Sequence, residues 1–456
     1  MRTIRKIVAL ITVTAIIISA AGCTKNNTQS YTEEEWYQKE FNLKPTQEEI
    51  SGKGNTENKG SVINLMEGIS PQKAEAAEKI SVNEYGPELN DFALRLFNTC
   101  RKNDGNSENT LISPLSVLLA LSMTANGADG ETLTQMEKAL GISKERLNQY
   151  AAAYMSLVSK RSADFGKLEL ANSIWFTSDQ RFTVEQSFLQ TNSNYYHADI
   201  YKAPFDDSTL KAINDWVNEK TEGMIPSILD EIPAEAVMYL VNALAFDAQW
   251  AEPYFDYQVR DDTFTTAEGK EETVSYLYGV ENNYISDDKA SGFIKYYKGY
   301  HYAFAALLPD EGVDIDTYLE TLNGAHLTEM LENMEYCDVY TRMPKFETAY
   351  NVEMSDQLKQ MGMTLPFDKE KADFSKLGKS ETGNISINRV IHKTFIAVDE
   401  NGTKAGAATI VEMTDGGAAF IEEPKEVYLT RPFVYMLIDR ETNSPFFIGV
   451  MRDLEK

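Results

Sequence analysis

Between Val398 and Thr409 the chain reads Val-Asp-Glu-Asn-Gly-Thr-Lys-Ala-Gly-Ala-Ala-Thr, a run of small side chains that directly follows the alternating stretch Ile391 to Val398. Alternation of apolar and polar positions marks 391–398 as a strand. The residues after it carry almost no bulk, and bulk is what stops a segment from entering between two strands already in place. Gly402 adds the backbone freedom of a hinge. In an extended chain Thr403, Ala405, Ala407 and Thr409 share one face, while Gly406 and Ala408 share the other. Lys404 falls opposite Thr403, where its charge can stay in water. Ile410, Val411 and Met413 are bulkier and gain burial only once the earlier residues are in. The stretch alone leaves two readings open: a strand held in reserve, or a Gly/Ala-rich surface loop.

Other motifs lie in order along the chain. Asn109-x-x-x-Ser113-Pro114-Leu115-Ser116-Val117 precedes an apolar run from Leu118 to Met123 and then Gly127-Ala128-x-Gly130-x-Thr132-x-x-Gln135-Met136. Ile213-Asn214-Asp215-Trp216-Val217 and Thr221-x-Gly223-x-Ile225 precede Val241-Asn242-Ala243-Leu244-Ala245-Phe246-x-x-x-Trp250. Met343-Pro344-Lys345-Phe346 is followed by Leu358-x-x-Met361-Gly362-Met363, Phe367 and Ala372-Asp373-Phe374-Ser375. Arg431-Pro432-Phe433 and Pro445-Phe446-Phe447-Ile448-Gly449 close the series. In this order, over residues 84–454, the motifs resemble those of the serpins. The segment beginning Glu400-Asn401-Gly402-Thr403 resembles that family's reactive-loop hinge, although Lys404 stands where the family usually has Glu.

The resemblance implies an α+β fold of three β-sheets and about eight or nine helices, with an exposed reactive loop near the C-terminus. It implies a suicide-substrate inhibitor of serine proteases, not an enzyme. The partner would be a target protease, held as a covalent acyl-enzyme when the cut loop inserts into the main sheet. The hinge would comprise Glu400, Gly402, Thr403, Ala405, Gly406, Ala407, Ala408 and Thr409. Counting forward from Glu400 by the family's usual spacing puts the cut at Gly416-Gly417, and counting back from Arg431 puts it near Ile421-Glu422. Extra residues before the cut slacken the pull on the protease, which favours the region Gly416, Gly417, Ala418, Ala419 and Phe420. These residues suit the small or modest primary pocket of elastase-like or subtilisin-like enzymes. No Lys or Arg lies between Lys404 and Lys425, which disfavours trypsin-like targets. The resemblance also implies a central polar cluster of Ser113, Ser116, Asn242 and His392 where the sheet must part, and puts Trp250 under the top of the sheet where insertion starts. The alternative within the family is a non-inhibitory serpin acting as a surface binding or carrier lipoprotein.

The N-terminus sets the expected location. Arg2, Arg5 and Lys6 precede the apolar run Ile7 to Ile18, which suits a signal peptide and is short for a membrane span. Ala20-Ala21-Gly22-Cys23 resembles a bacterial lipoprotein cleavage box, with Ala20 where a larger aliphatic residue is usual. Residues 1–22 are thus read as a lipoprotein signal, 23–82 as a flexible tether lipidated at Cys23, and 83–456 as the folded domain. The tether is polar and poor in aliphatic residues. The expected location is the bacterial cell surface, with a released extracellular form as the alternative.

The formal net charge is −27. The basic start and the mildly acidic tether cancel, so the excess sits in the body. It argues against nucleic acid as a partner and leaves the lipid anchor as the only tie to a membrane. A monomer with no cofactor and no metal is expected. No Gly-x-Ser-x-Gly, His-Glu-x-x-His, phosphate-loop or Cys-x-x-Cys motif occurs. Cys100 and Cys337 are left as two buried thiols or one disulfide.

Overall fold

The computed structural model describes residues 62–72, 80–106, 108–161, 165–179, 182–232, 238–381, 383–403 and 424–454, without the side chains of Asn242 and Ala243. Cys23, the hinge residues Ala405 to Thr409 and the candidate cut region 416–420 lie outside them.

The longest unbroken stretch of burial surrounds the helix α2 (Pro114–Ala125), every residue of which is shielded from solvent. A helix apolar on all sides belongs inside a domain. Its start is set locally: the Ser113 side chain accepts from the backbone N–H of Ser116 at 3.3 Å, and Pro114 occupies the first turn, where its missing N–H costs nothing. Around it lie α1 (Gly86–Asn103), α3 (Gly130–Leu140), α4 (Lys144–Val158) and α5 (Gln186–Tyr196). Helix α3 stops at Gly141, which takes the left-handed conformation with φ 76°. Four more helices complete nine among the described residues: α6 (Asp207–Lys220), α7 (Ile315–Thr321), α8 (Gly324–Glu332) and α9 (Ser355–Gln360).

The strands form three sheets. The first has seven strands in the order β1 (Ile63–Asn64), β5 (Asp199–Ala203), β3 (Lys167–Thr177), β6 (Met238–Gln249), β15 (Gly402–Thr403), β14 (Ile391–Val398) and β12 (Phe346–Glu353). The second follows the order β16 (Lys425–Tyr428), β11 (Glu335–Pro344), β8 (Glu271–Ser286), β9 (Ala290–Tyr296), β10 (Tyr302–Pro309), β17 (Phe433–Asp439), β18 (Ser444–Met451) and β2 (Thr110–Ile112), and β7 (Val259–Thr265) pairs with β8. The third is the pair β4 (Phe182–Val184) and β13 (Gly378–Ser380). Strands β10, β17 and β18 are buried throughout, as expected of central strands covered on both faces. Helix α6 lies on the face of β3 and β6 and seals a second apolar cluster of Trp175, Ile213, Trp216, Val217, Tyr239 and Val241. This α+β architecture of three sheets agrees with the expectation.

Two particulars go beyond the sequence reading. The segment expected to be tether as far as 82 is already docked from residue 62. Ile63 and Asn64 pair with Lys202 and Tyr201, the Leu65 N–H donates to the Ile200 carbonyl at 2.8 Å, and Gln190 Nε2 donates to the Ser70 carbonyl at 3.0 Å. The physical reason is twofold. Without this segment β5 would be an open edge, and Leu65, Met66 and Ile69 give an otherwise polar stretch enough apolar surface to pack on the core. Cys100 and Cys337 are not joined in a disulfide and both are buried, so the open choice resolves to two thiols. Burial pushes the Cys100 thiol well above its ordinary pKa.

Candidate functional site

The site is built where β14 turns back on itself at the end of the seven-stranded sheet. Asp399 makes the turn: its carboxylate accepts the N–H groups of Asn401 and Gly402 at 2.7 and 3.1 Å, and its own N–H donates to the Gly402 carbonyl. The chain then enters the sheet. Thr403 pairs with Val398 on one side and Ala248 on the other, and Gly402 pairs with Gln249. A Cβ on residue 402 would stand 2.1 Å from the Ala248 carbonyl oxygen, so only glycine allows this approach. Thr403 is 2 % exposed, and its hydroxyl hydrogen-bonds the buried Tyr297 phenol.

Trp250 braces the turn. Its backbone N–H donates to the Asn401 carbonyl and its indole N–H to the Asp399 carbonyl, both at 2.8 Å. Its ring stacks on Tyr297 at 4.4 Å. Lys345, just after β11, holds Glu400 at 2.5 Å. Burial works to raise the Glu400 carboxyl, but the Lys345 ammonium outweighs it and leaves the group below the ordinary carboxylate range. Beneath lies a buried pair: Lys295 Nζ stands 2.8 Å from Glu281 and 4.3 Å from the centre of the Tyr254 ring. Burial raises the Glu281 carboxyl, and Lys295 opposes the shift.

Among the described residues β6 and β14 share no direct ladder, because β15 stands between them. A cavity of ≈ 20 Å³, room for about one water, lies beside Thr403 among Leu244, Phe246, Phe395 and Ile396, with Met224 and Ile225 over it from beyond α6.

Farther down, β14 carries the polar cluster. His392 Nε2 accepts the backbone N–H of Ser113 at 3.0 Å, and Ser113 in turn caps α2 through Ser116. Thr394 Oγ1 donates to the Leu111 carbonyl at 2.8 Å. The structure thus brings together Ser113, Ser116 and His392; the side chain of Asn242 is outside the described set, though its backbone pairs with Asn172. The imidazole meets a backbone amide and not the Ser113 hydroxyl, so the geometry does not pair a base with a nucleophile.

Burial lowers the His392 pKa from 6.5 to about 3. A histidine depressed in the folded state is protonated first in the unfolded chain, so its stabilising effect is complete above pH 6.5 and lost as pH falls toward 3. At pH 5 the loss is about 2 kcal/mol. Urea unfolding at pH 7 and pH 5 should therefore show about 2 kcal/mol more acid destabilisation in the wild type than in His392→Asn. Equal losses in both proteins would remove this role.

Sequence reasoning missed Lys345, Tyr297 and the Lys295–Glu281 pair. Lys345 stood inside a recognised motif, but nothing in sequence joined it to Glu400.

The family described as Serpin (serine protease inhibitor) matches residues 87–454. Leukocyte elastase inhibitor A of Mus musculus is 30% identical over 376 residues, spanning 78% of this chain and 96% of that protein. The crystal structure of a thermophilic serpin, tengpin, in the native state is 45% identical with a TM-score of 0.80, covering 87% of this chain and 100% of the other. The latent state of tengpin superposes less well, with a TM-score of 0.70 at 44% identity, over 85% of this chain and 100% of the other.

Proposed function

The chain belongs to the serpin family, and from that premise we propose that it is a suicide-substrate inhibitor of serine proteases that traps its target by inserting the cut loop between β6 and β14. One observation carries the reading: Gly402 and Thr403 already stand as a short strand between β6 and β14, at the head of the run of small residues. The protease serine attacks a carbonyl within 416–420. The peptide bond breaks, the new amine leaves with the C-terminal fragment, and the acyl group stays on the serine. Residues 404 onward then extend β15. About fifteen residues at roughly 3.3 Å each carry the protease about 50 Å, and loss of catalytic geometry stops deacylation.

Small residues at 416–419 and the absence of Lys or Arg between 404 and 425 favour elastase-like or subtilisin-like targets. A relative named as a leukocyte elastase inhibitor is in line with that choice. Incubation of the full chain with neutrophil elastase and with subtilisin should give a denaturant-resistant species at the summed mass, with a released C-terminal peptide. Clean loop cleavage by proteases that stay active would turn the reading toward a carrier.

The inhibitor acts as a monomer, anchored at the bacterial surface through a lipidated Cys23. Cys23→Ala should move it from the membrane fraction to the soluble fraction in its native host. Retention in the membrane fraction would remove the anchor.

A further inference from the structure

The face of the second sheet that borders both ends of the loop carries aromatic side chains in the open. Tyr340 on β11 is 43 % exposed and lies opposite Val280 on β8, which is 46 % exposed. Beside them runs a stack that crosses four strands. The Arg342 guanidinium sits 4.1 Å from the centre of the Tyr428 ring on β16 and 5.5 Å from that of Tyr278 on β8, and Arg260 on β7 covers Tyr278 at 5.3 Å. Asp262 fixes the middle of the stack, accepting from Tyr278 at 2.8 Å and from Arg342 at 3.1 Å. Arg260 bonds the Tyr257 carbonyl at 3.1 Å and faces no carboxylate among the described residues. Tyr257, 69 % exposed, stacks on Phe255 at 5.6 Å with 7° between the planes.

Single exposed apolar residues need no explanation, but a joined group of them does. Tyr and Arg are the side chains that dominate binding hot spots. Here they stand on paired strands and stacked on one another, so little freedom remains to be lost on contact. Position names the occupant. Strand β11 runs from Tyr340 and Arg342 to Pro344, and the next residue, Lys345, grips Glu400 at the start of the loop. On the other side the chain returns as Lys425 and Glu426, paired with Val339 and Tyr340. Both described ends of the loop therefore border this face, and a protease that attacks the loop is brought up beside it.

We propose that Phe255, Tyr257, Arg260, Val280, Tyr340 and Arg342 form a second docking surface for the target protease, outside its catalytic cleft. It fits an apolar surface loop of the protease that carries a carboxylate for Arg260. The surface deepens the inhibitory reading and rests on it. It selects among proteases that share a primary pocket, and it acts on capture, before the loop is cut.

The test uses the full chain with Tyr257→Ser, Arg260→Glu and Tyr340→Ser combined, and whichever of elastase and subtilisin the wild type traps faster. The second-order rate constant of inhibition should fall at least tenfold, with stoichiometry and melting midpoint unchanged, because the loop and the sheet are intact. Arg260→Glu alone should lower it about threefold and reduce its dependence on salt. This single exposed change keeps the test open where the triple variant fails to fold. A rate within twofold of wild type in both variants overturns the docking surface while leaving the inhibitor. So does an unchanged rate with an altered sedimentation coefficient, which assigns the face to self-association. No covalent complex from the wild type overturns the inhibitory reading, and this inference with it.

Discussion

Thr403→Arg is expected to turn the protein from an inhibitor into a substrate of the same protease. Thr403 is buried between β14 and β6, and its hydroxyl is bonded to the buried Tyr297 phenol. A guanidinium there would be buried without a carboxylate to meet it, at a cost of several kcal/mol. The uncleaved variant escapes this cost by drawing Gly402 and Thr403 back out of the sheet, so its folding should change little. The cost returns when the cut loop must pass through the same position. Insertion competes with hydrolysis of the acyl-enzyme, and about 3 kcal/mol on the insertion barrier slows it roughly 100-fold. Hydrolysis then wins: the loop is cut, the protease is released active, and the stable complex disappears from the gel. Thr403→Val keeps the shape and loses only the hydrogen bond, so it should keep most of the trapping. Equal trapping by the Arg variant and the wild type would show that this position does not enter the sheet during inhibition.

The part of the site legible in the sequence is the part made by one segment. Gly402, Thr403 and the small residues after them declare their steric requirement locally, because an entering strand is limited by its own side chains. The clasp that holds the hinge was not legible. Thr403 meets Tyr297, and Glu400 meets Lys345, across sequence separations that no periodicity spans. Lys295 and Glu281 read as solvated charges on alternating strands, and only the packing of β8 against β9 buries them as a pair. The docked segment from 62 to 72 was hidden by composition: a few aliphatic residues in a polar stretch are too sparse to signal a strand, and it is the bare edge of β5 that makes one. The aromatic face around Arg342 was missed because Tyr and Val in a strand are ordinary core residues until the sheet shows which of them face outward.

Where the loop is cut should decide whether the protein gains stability, and this separates an inserting sheet from a merely exposed loop. Strand β6 is 12 residues long, and a cut at 416–420 leaves about as many residues or more beyond Thr403 to lie along it. Inserted there, those residues supply ladder partners to both β6 and β14. A net gain of about 5 kcal/mol would raise the melting midpoint by about 6 °C in a unit of this size. Elastase-cleaved protein should show that rise. Trypsin supplies the contrast, because Lys404 is the single basic residue between Thr403 and Lys425, and Lys425 lies within β16. A cut after Lys404 severs the reserve strand one residue past Thr403. The ends are free in both products, the released tension is the same, and only the elastase product still has a strand to insert. The trypsin product should melt at or below the intact protein. Equal midpoints in the two cleaved forms would mean that no strand enters between β6 and β14 after cleavage, and loop insertion would have to be abandoned for this chain.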